Sequence, residues 1–268
     1  LLKGKTPRRG PPKVDSSIVA YTPLPRSVHE RYQEVTLCVD IMYVNTIPFL
    51  LTISRKIKFG TIEALDGQTA TKLVKAIQNV ARVYHHGGFR VRHVLMDGQF
   101  ECLRGPLLGM QALLNTTSRD EHVGDIERYV RTTKDRMRCT YTTTPFTVMC
   151  HRMVIELAMR SVFWLNAFPA TDGISSTLSP RTIVTGQTVH HDRHCTYDFG
   201  QYVQTHEEHD NTMAPRTVGA LAMRPTGNVQ GSFYFLSLDT GRIINRLHAT
   251  PLPMPNEVID RVRRLARQ

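Results

Sequence analysis

Apolar and polar residues alternate from Val35 onward, a period of two residues that predicts a β-strand. The apolar positions of this alternation are Val35, Leu37, Val39 and Ile41. A turn over residues 45–48 leads to a second predicted strand at 49–54, and a third follows at 57–65. The pattern therefore predicts an antiparallel meander of three strands.

The next segments change to a helical period. Leu73, Ile77 and Val80 are spaced as one face of a helix over residues 69–84, and Gly87-Gly88 ends that helix. Residues 90–96 form the next predicted strand. Because a helix connects it to the meander, we expect this strand to run parallel to the first. The predicted order is strand, strand, strand, helix, strand.

Two longer helices are predicted at 121–138 and at about 147–166. After about residue 196, short strands alternate with glycine-rich turns, which is typical of a small β-barrel or sandwich. We therefore predict an α/β core followed by a small β-barrel-like domain. The predicted segments are a basic proline-rich linker at 1–32, the core at 33–170, a connecting loop at 171–198, the barrel-like domain at 199–255 and a basic helical tail at 256–268.

Three acidic residues are the main candidates for chemistry. Asp40 lies within the first predicted strand, Asp97 directly follows the strand at 90–96, and Glu127 lies on a predicted helix. A carboxylate in a buried strand is costly unless a partner compensates its charge. A divalent cation compensates several converging carboxylates, because hard cations prefer oxygen ligands. The three residues therefore predict a metal-dependent phosphoryl-transfer site with Mg²⁺ or Mn²⁺, most simply two ions.

Cations dominate the charge of the chain. The 34 lysines and arginines exceed the 23 acidic residues, which gives a net charge of +11 and a pI near 9.7. Arg131, Lys134 and Arg138 continue the helical stripe that Glu127 begins. We expect these three side chains to contact phosphates of nucleic acid rather than to read bases. A solvated mixed-charge helix face is the alternative interpretation of the stripe.

Cysteine usage indicates a reducing compartment. The five cysteines are widely spaced and form no Cys-x-x-Cys pair, which disfavours a disulfide framework and a thiolate zinc site. No apolar run reaches the length of a membrane helix. The histidine-rich segment His190–Cys195 has metal-ligand residue types but no common zinc spacing, so we interpret it as an exposed polar loop.

Several motifs together resemble the integrase region of copia-type retrotransposon polyproteins. Val39-Asp40-Ile41 resembles the strand with the first catalytic Asp, and residues 96–101 resemble the family's Asp-Asn-Gly-x-Glu-Phe element. Residues 121–132 resemble the Gln-Asn-Gly-Val-Ala-Glu-Arg-x-x-Arg-Thr helix, in which Glu127 matches the catalytic Glu. Residues 178–186 resemble the Thr-Pro-x-Glu-x-x-x-Gly segment that follows the core. The match extends over about residues 33–255.

The resemblance implies an RNase H-like core with a mixed five-stranded sheet and flanking helices. It also implies that Asp40, Asp97 and Glu127 form a catalytic metal triad that processes DNA 3′ ends and transfers them into target DNA. Double-stranded DNA and further copies of the chain are the implied partners, in the nucleus or in a cytoplasmic virus-like particle. The chain begins with Leu1, which predicts that it is a piece of a longer product.

Three features depart from the family pattern. Gly98 follows Asp97 where the family has Asn, the separation of Asp97 and Glu127 (127 − 97 = 30) is shorter than the classical retroviral one, and no His-His-Cys-Cys zinc module precedes the core within this sequence. Two alternatives therefore stay open. One is an inactive or co-opted nucleic-acid-binding module of the same fold, and the other is a ribonuclease H-type nuclease. Loss of strand transfer in Asp40→Asn would distinguish the integrase from both.

Overall fold

The computed structural model describes residues 21–117, 124–207, 213 and 215–267. Its elements are α1 (Arg26–Tyr32), β1 (Glu34–Val44), β2 (Ile47–Ser54), β3 (Gly60–Ala64), α2 (Ala70–His86), β4 (Arg90–Asp97), a 3₁₀-helix (Gly98–Leu103), α3 (Arg104–Gly109), β5 (Leu113–Thr117), α4 (Gly124–Thr142), α5 (His151–Leu165), α6 (Pro180–Thr185), α7 (His191–His194), β6 (Tyr202–His206), β7 (Thr217–Pro225), β8 (Phe233–Ser237), β9 (Ile243–Arg246), β10 (Ala249–Pro251) and α8 (Asn256–Ala266).

The first sheet has the strand order β3-β2-β1-β4-β5. Strands β1, β2 and β3 pair antiparallel, whereas β4 pairs parallel with both β1 and β5. The predicted meander and the parallel fourth strand are therefore confirmed. The fifth strand was implied by the resemblance alone, since residues 113–117 show no clear alternation.

A two-residue turn joins β1 to β2. Asn45 and Thr46 both have positive φ, 47° and 67°. Two positive values are required by the type I′ turn, one of the two turns that match the twist of a β-hairpin. Asn adopts this conformation readily, whereas the β-branched Thr46 adopts it at a cost in backbone energy. The turn fixes the register of the longest strand pair in this sheet, which carries Asp40.

The two faces of β1 lie in different apolar clusters. Val35, Leu37 and Val39 pack with α2 and the buried residues of β4. Cys38 and Met42 point to the other face and pack with α4 and α5. Side chains alternate along a strand, so Asp40 lies on the α4 side. The predicted helices are confirmed with shifted ends, and the predicted start of α4 at Glu121 lies outside the described residues.

A second, separate sheet has the order β10-β6-β7-β8-β9, and its four strand pairings among the described residues are antiparallel. It packs on α5, and α8 packs beside it. Leu221, Met223 and Leu236 of this sheet share one apolar cluster with Val154 and Leu157 of α5. The predicted short strands are confirmed. Among the described residues, the edge strands β10 and β9 do not pair with each other, so the sheet is open. The barrel-like character of this domain stays a prediction.

Charged side chains also connect α5 to the second sheet. The Arg224 Nε atom lies 2.7 Å from Glu156 Oε2, and Arg160 donates a hydrogen bond of 2.9 Å to the Met223 carbonyl. Burial raises the pKa of Glu156, and the nearby Arg224 guanidinium opposes that rise. The ion pair therefore holds a carboxylate where the apolar surroundings alone would favour its protonated form.

The mixed sheet with helices on both faces is consistent with the RNase H-like core that the resemblance implies. Helix α1 lies within the segment predicted as a linker, whose residues 1–20 are outside the described part of the chain. Helix α8 corresponds to the predicted basic tail. Among the described residues, none of the helices combines the length and the apolar character needed to cross a membrane.

Candidate active site

Asp40 and Asp97 lie level on neighbouring parallel strands. Cys38 of β1 stands opposite Leu95 of β4, so two residues farther along each strand Asp40 comes level with Asp97. Cys38 and Leu95 both pack in the cluster on the α4 side. The two aspartates therefore belong to that same face. Asp97 is the last residue of β4 and is exposed, whereas Asp40 is partly buried.

Glu127 lies in the first turn of α4, the helix that packs on this face of the sheet. Ile126 and Tyr129 of the same helix are buried against the sheet, and they fix the helix while Glu127 remains exposed. The three predicted site residues thus come from the middle of one strand, the end of its neighbour and the helix above them.

The charges of Asp97 and Glu127 act on Asp40. Burial is the largest influence and raises the pKa of Asp40, and the two neighbouring carboxylates raise it further. The Ile41 N–H, which donates to Asp40 Oδ1 at 2.7 Å, and the Lys134 ammonium both oppose the rise. Three acids and one cation therefore share one electrostatic environment. Such accumulated negative charge is typical of a site that binds a cation.

The three carboxylates do not form a ready-made metal cluster. Within the described ranges, no three His, Cys, Asp or Glu side chains are close enough together to hold one ion. The all-oxygen donor set fits Mg²⁺ or Mn²⁺ in kind. Metal binding here would therefore require the three carboxylates to come closer together.

The predicted basic residues follow Glu127 along α4. Lys134 is partly buried and lies near Asp40, whereas Arg131 and Arg138 are exposed. Arg138 Nη1 contacts Asp135 Oδ1 at 2.7 Å, but both side chains are largely exposed. Solvent screens such a pair, so the Arg138 guanidinium can exchange this partner for a phosphate at little cost.

Two other acids in the motifs around the candidate residues, Asp125 and Glu101, are paired with cations. Asp125, in the same helical turn as Glu127, lies 3.1 Å from Lys58 Nζ and 3.5 Å from Arg55 Nε. Glu101 accepts hydrogen bonds from Arg104 and, at 3.0 Å, from Thr116 Oγ1. These hydrogen bonds lower the pKa of Glu101 and keep it ionised. Glu121, the acid at the start of the helix predicted at 121–138, lies outside the described residues.

The histidine-rich segment has a structural role instead of being a fully exposed loop. His194 is buried, and its Nε2 lies 2.9 Å from the Asn228 carbonyl, to which it donates. In the neutral ring, Nδ1 then accepts the His190 N–H at 3.1 Å. His194 therefore attaches α7 to the loop between β7 and β8.

A groove beside the acids was missed by the sequence analysis. Its cavity volume is about 550 Å³, and it extends from Lys134 past Arg138 to Tyr141 and Val148. The sequence pattern places Val148 in the helix predicted at about 147–166, whereas α5 begins at His151 and Val148 lies in the loop before it. The groove forms only where α4, α5, the loop between them and the β1–β2 turn pack together.

No protein-family model matches this chain, and no curated protein matches it. Among solved structures, the catalytic core domain of BIV integrase is similar over 56% of this chain and 92% of that chain. The sequence identity is 15% and the TM-score is 0.42. A likeness of this strength identifies neither an activity nor a ligand for this chain.

Proposed function

We propose that this chain is a copia-type retrotransposon integrase, a DDE-type polynucleotidyl transferase that processes DNA 3′ ends and joins them to target DNA. The proposal rests on one observation above all. Asp40 and Asp97 lie level on adjacent strands, and the charges of Asp97 and Glu127 both act on Asp40. The motifs around the same three residues resemble that family in sequence.

In this proposal, Asp40, Asp97 and Glu127 hold Mg²⁺ or Mn²⁺, most simply two ions. The bound metal supplies Lewis-acid stabilisation of charge on the phosphate and activates a hydroxyl nucleophile. Asp40 sits on a central strand that is paired on both sides, so its position is fixed by the sheet. Lys134 neutralises part of the acid cluster, and Arg131 and Arg138 contact the phosphates of the bound strand.

Further parts of the proposal concern the assembly. The partners are double-stranded DNA, both as element ends and as target, and further copies of this chain. The second sheet belongs to a small barrel-like domain. The protein acts in the nucleus or within a cytoplasmic virus-like particle.

A second candidate is a nucleic-acid-binding module without catalytic activity. The observation that favours it is that the described acids are not close enough together to hold a metal ion as they stand. Such a module would bind DNA with a strong salt dependence, because cations that contact phosphates release counterions. It would show no metal-dependent cleavage.

The two candidates are separated by comparing four proteins: the wild type, Asp40→Asn, Glu127→Gln and Asp125→Asn. Asp125→Asn is the matched control, since Asp125 lies in the same helical turn as Glu127 but pairs with Lys58. Strand transfer is measured with labelled DNA ends in Mg²⁺ and in Mn²⁺. We expect the two site variants to lose at least about 100-fold in rate, equal to about 2.7 kcal/mol in the barrier. The control should retain activity.

DNA affinity is measured in parallel with EDTA present. Asp40→Asn should bind DNA as well as the wild type does, because it removes a negative charge rather than a phosphate contact. Full activity of Asp40→Asn would refute the assignment. A wild-type protein that binds DNA but has no metal-dependent activity would establish the second candidate, and cleavage of RNA–DNA hybrid without strand transfer would indicate a ribonuclease.

A further inference from the structure

The groove beside the acids has an apolar floor and an exposed rim. Met137, Val154 and Leu157 are buried in the floor. Tyr141 and Val148 line the rim and remain 38% and 53% exposed. Its volume of about 550 Å³ is within the range of about 300–1,000 Å³ that is usual for ligand sites. Exposed apolar side chains at the rim of a concave site indicate a ligand with an apolar surface.

Two cations line the same groove. Lys134 and Arg138 occupy successive turns of α4, and Tyr141 continues their face of the helix. Lys134 also acts on the charge of Asp40, so the Lys134 end of the groove is the end nearer to the acid cluster. An occupant therefore needs an anionic part near Lys134 and Arg138 and an apolar part near Tyr141 and Val148.

The tyrosine ring is held in place before any ligand binds. The Tyr141 hydroxyl donates a hydrogen bond of 2.8 Å to the Thr147 carbonyl, across the turn between α4 and α5. A ring that is already fixed loses little conformational entropy when a flat ligand stacks on it. Bases of single-stranded nucleic acid stack on such aromatic side chains regardless of their sequence.

The spacing along α4 matches a nucleic-acid strand. Tyr141 is seven residues beyond Lys134, which is about 10 Å along the helix axis. This length corresponds to about three nucleotides at the spacing of one strand in a duplex, and a more extended unpaired strand covers it with fewer. A strand that has its reacting phosphate at the acids would therefore bring a base up to about three nucleotides away to the level of Tyr141.

We propose that this groove binds an unpaired nucleotide of the DNA strand whose phosphate lies at the acid cluster. Its phosphates contact Lys134 and Arg138, and its base packs between Tyr141 and Val148. The identity of the ligand as DNA rests on the proposed function. An apolar peptide fits less well because it has no anionic group for Lys134 and Arg138, and a second copy of this chain fits less well because its net charge of +11 has the same sign as theirs.

The test compares DNA duplexes with blunt ends and duplexes with a four-nucleotide unpaired end. Binding of the full chain is measured by fluorescence anisotropy in EDTA, so that no metal-dependent chemistry contributes. We expect the wild type to bind the unpaired end about tenfold more tightly, as stacking of one base on an aromatic ring would give. Val148→Glu places a carboxylate in the groove and should abolish this preference.

Leu108→Glu is the matched control. Leu108 lies on α3 and is 61% exposed, so the same substitution adds the same charge at a comparably exposed apolar position. It should lower affinity for both duplexes equally and leave the preference intact. Tyr141→Leu is a second variant that keeps an apolar side chain but removes the ring, and it should reduce the preference as well.

Equal preferences in Val148→Glu and Leu108→Glu would overturn the proposal. So would a change of oligomeric state in Val148→Glu with the preference intact, because the groove would then be an interface between copies. The outcome is independent of catalysis. If the preference depends on Val148 but the protein has no strand-transfer activity, the nucleotide site in the groove is supported and the integrase function is refuted. If the protein transfers strands but shows no such preference, the integrase function is supported and the nucleotide site is refuted.

Discussion

Replacing Asp40 by Asn should stabilise the metal-free protein. The Asp40 carboxylate is disfavoured first by burial and then by the charges of Asp97 and Glu127. Asn has nearly the same size, and its Oδ1 can still accept the Ile41 N–H that now lies 2.7 Å away. The substitution therefore removes a destabilised charge and keeps the local hydrogen bond.

The size of the gain follows from the setting of Asp40. One unit of pKa shift corresponds to about 1.4 kcal/mol. Asp40 is only partly buried, and the Lys134 charge that is lost as a partner offsets part of the gain. After reduction for solvent screening, we expect the free energy of unfolding to rise by about 1 kcal/mol. For a chain of this size that is an increase of about 2–4 °C in melting temperature.

The assay is thermal unfolding in EDTA, followed by the same measurement in Mg²⁺. Metal at ten times its dissociation constant should stabilise the wild type by about 1.4 kcal/mol, since binding to the folded state alone shifts the equilibrium. Asp40→Asn should gain much less. Asp66→Asn, at an exposed aspartate before α2, is the control and should resemble the wild type in both buffers. A variant that is less stable than the wild type in EDTA, or that gains equally from Mg²⁺, would refute the reasoning.

Two further predictions concern stability. Asn166 accepts the Gly60 N–H at 2.8 Å and donates to the Gly60 carbonyl at 2.7 Å, so Asn166→Ala leaves two buried backbone groups without these partners and should cost about 2–4 kcal/mol in urea unfolding; a loss below about 0.5 kcal/mol would contradict this. Hydrogen bonds from Arg246 lower the pKa of Glu207 in the folded protein. The ionised Glu207 therefore stabilises the fold at pH values above its unfolded pKa of about 4.3. This stabilisation is lost as the pH falls through the lower pKa of the folded state. Glu207→Gln should therefore be less stable than the wild type at pH 7 and equally stable in strong acid, as urea titrations at several pH values will show; a constant difference at every pH would disprove the linkage.

The sequence pattern predicts the strands and helices better than it predicts the geometry of the site. The alternation in β1 and the helical period of α2 and α4 depend on local burial, which the sequence displays directly. Strand β5 is short and lies at the edge of the sheet, so no alternation marks it. The groove could not be predicted, because it forms only when distant segments pack together.

A single irregularity decides whether the two aspartates share a face. Val35 pairs with Val91, but the register shifts before Thr36, which pairs with His93. Continued without that shift, the first pairing would set Asp40 opposite Met96, one residue short of Asp97. A slip of one residue sends a strand's side chains to the opposite face. Nothing in the sequence marks this bulge. The sequence therefore identifies the candidate acids but does not predict that Asp40 and Asp97 lie opposite each other on the same face of the sheet.

Helix α5 packs between the two sheets. It contacts β3 and α4 of the core on one side and β7 of the second sheet on the other, and the Glu156–Arg224 ion pair joins α5 to β7. The core and the second sheet are thus joined by direct packing through α5 and not only by the chain that connects them. A displacement of the second sheet would be transmitted through α5 to the floor of the groove, where Val154 and Leu157 lie. Replacing the second sheet with one from another protein would therefore require new residues on the face of α5 that packs against it.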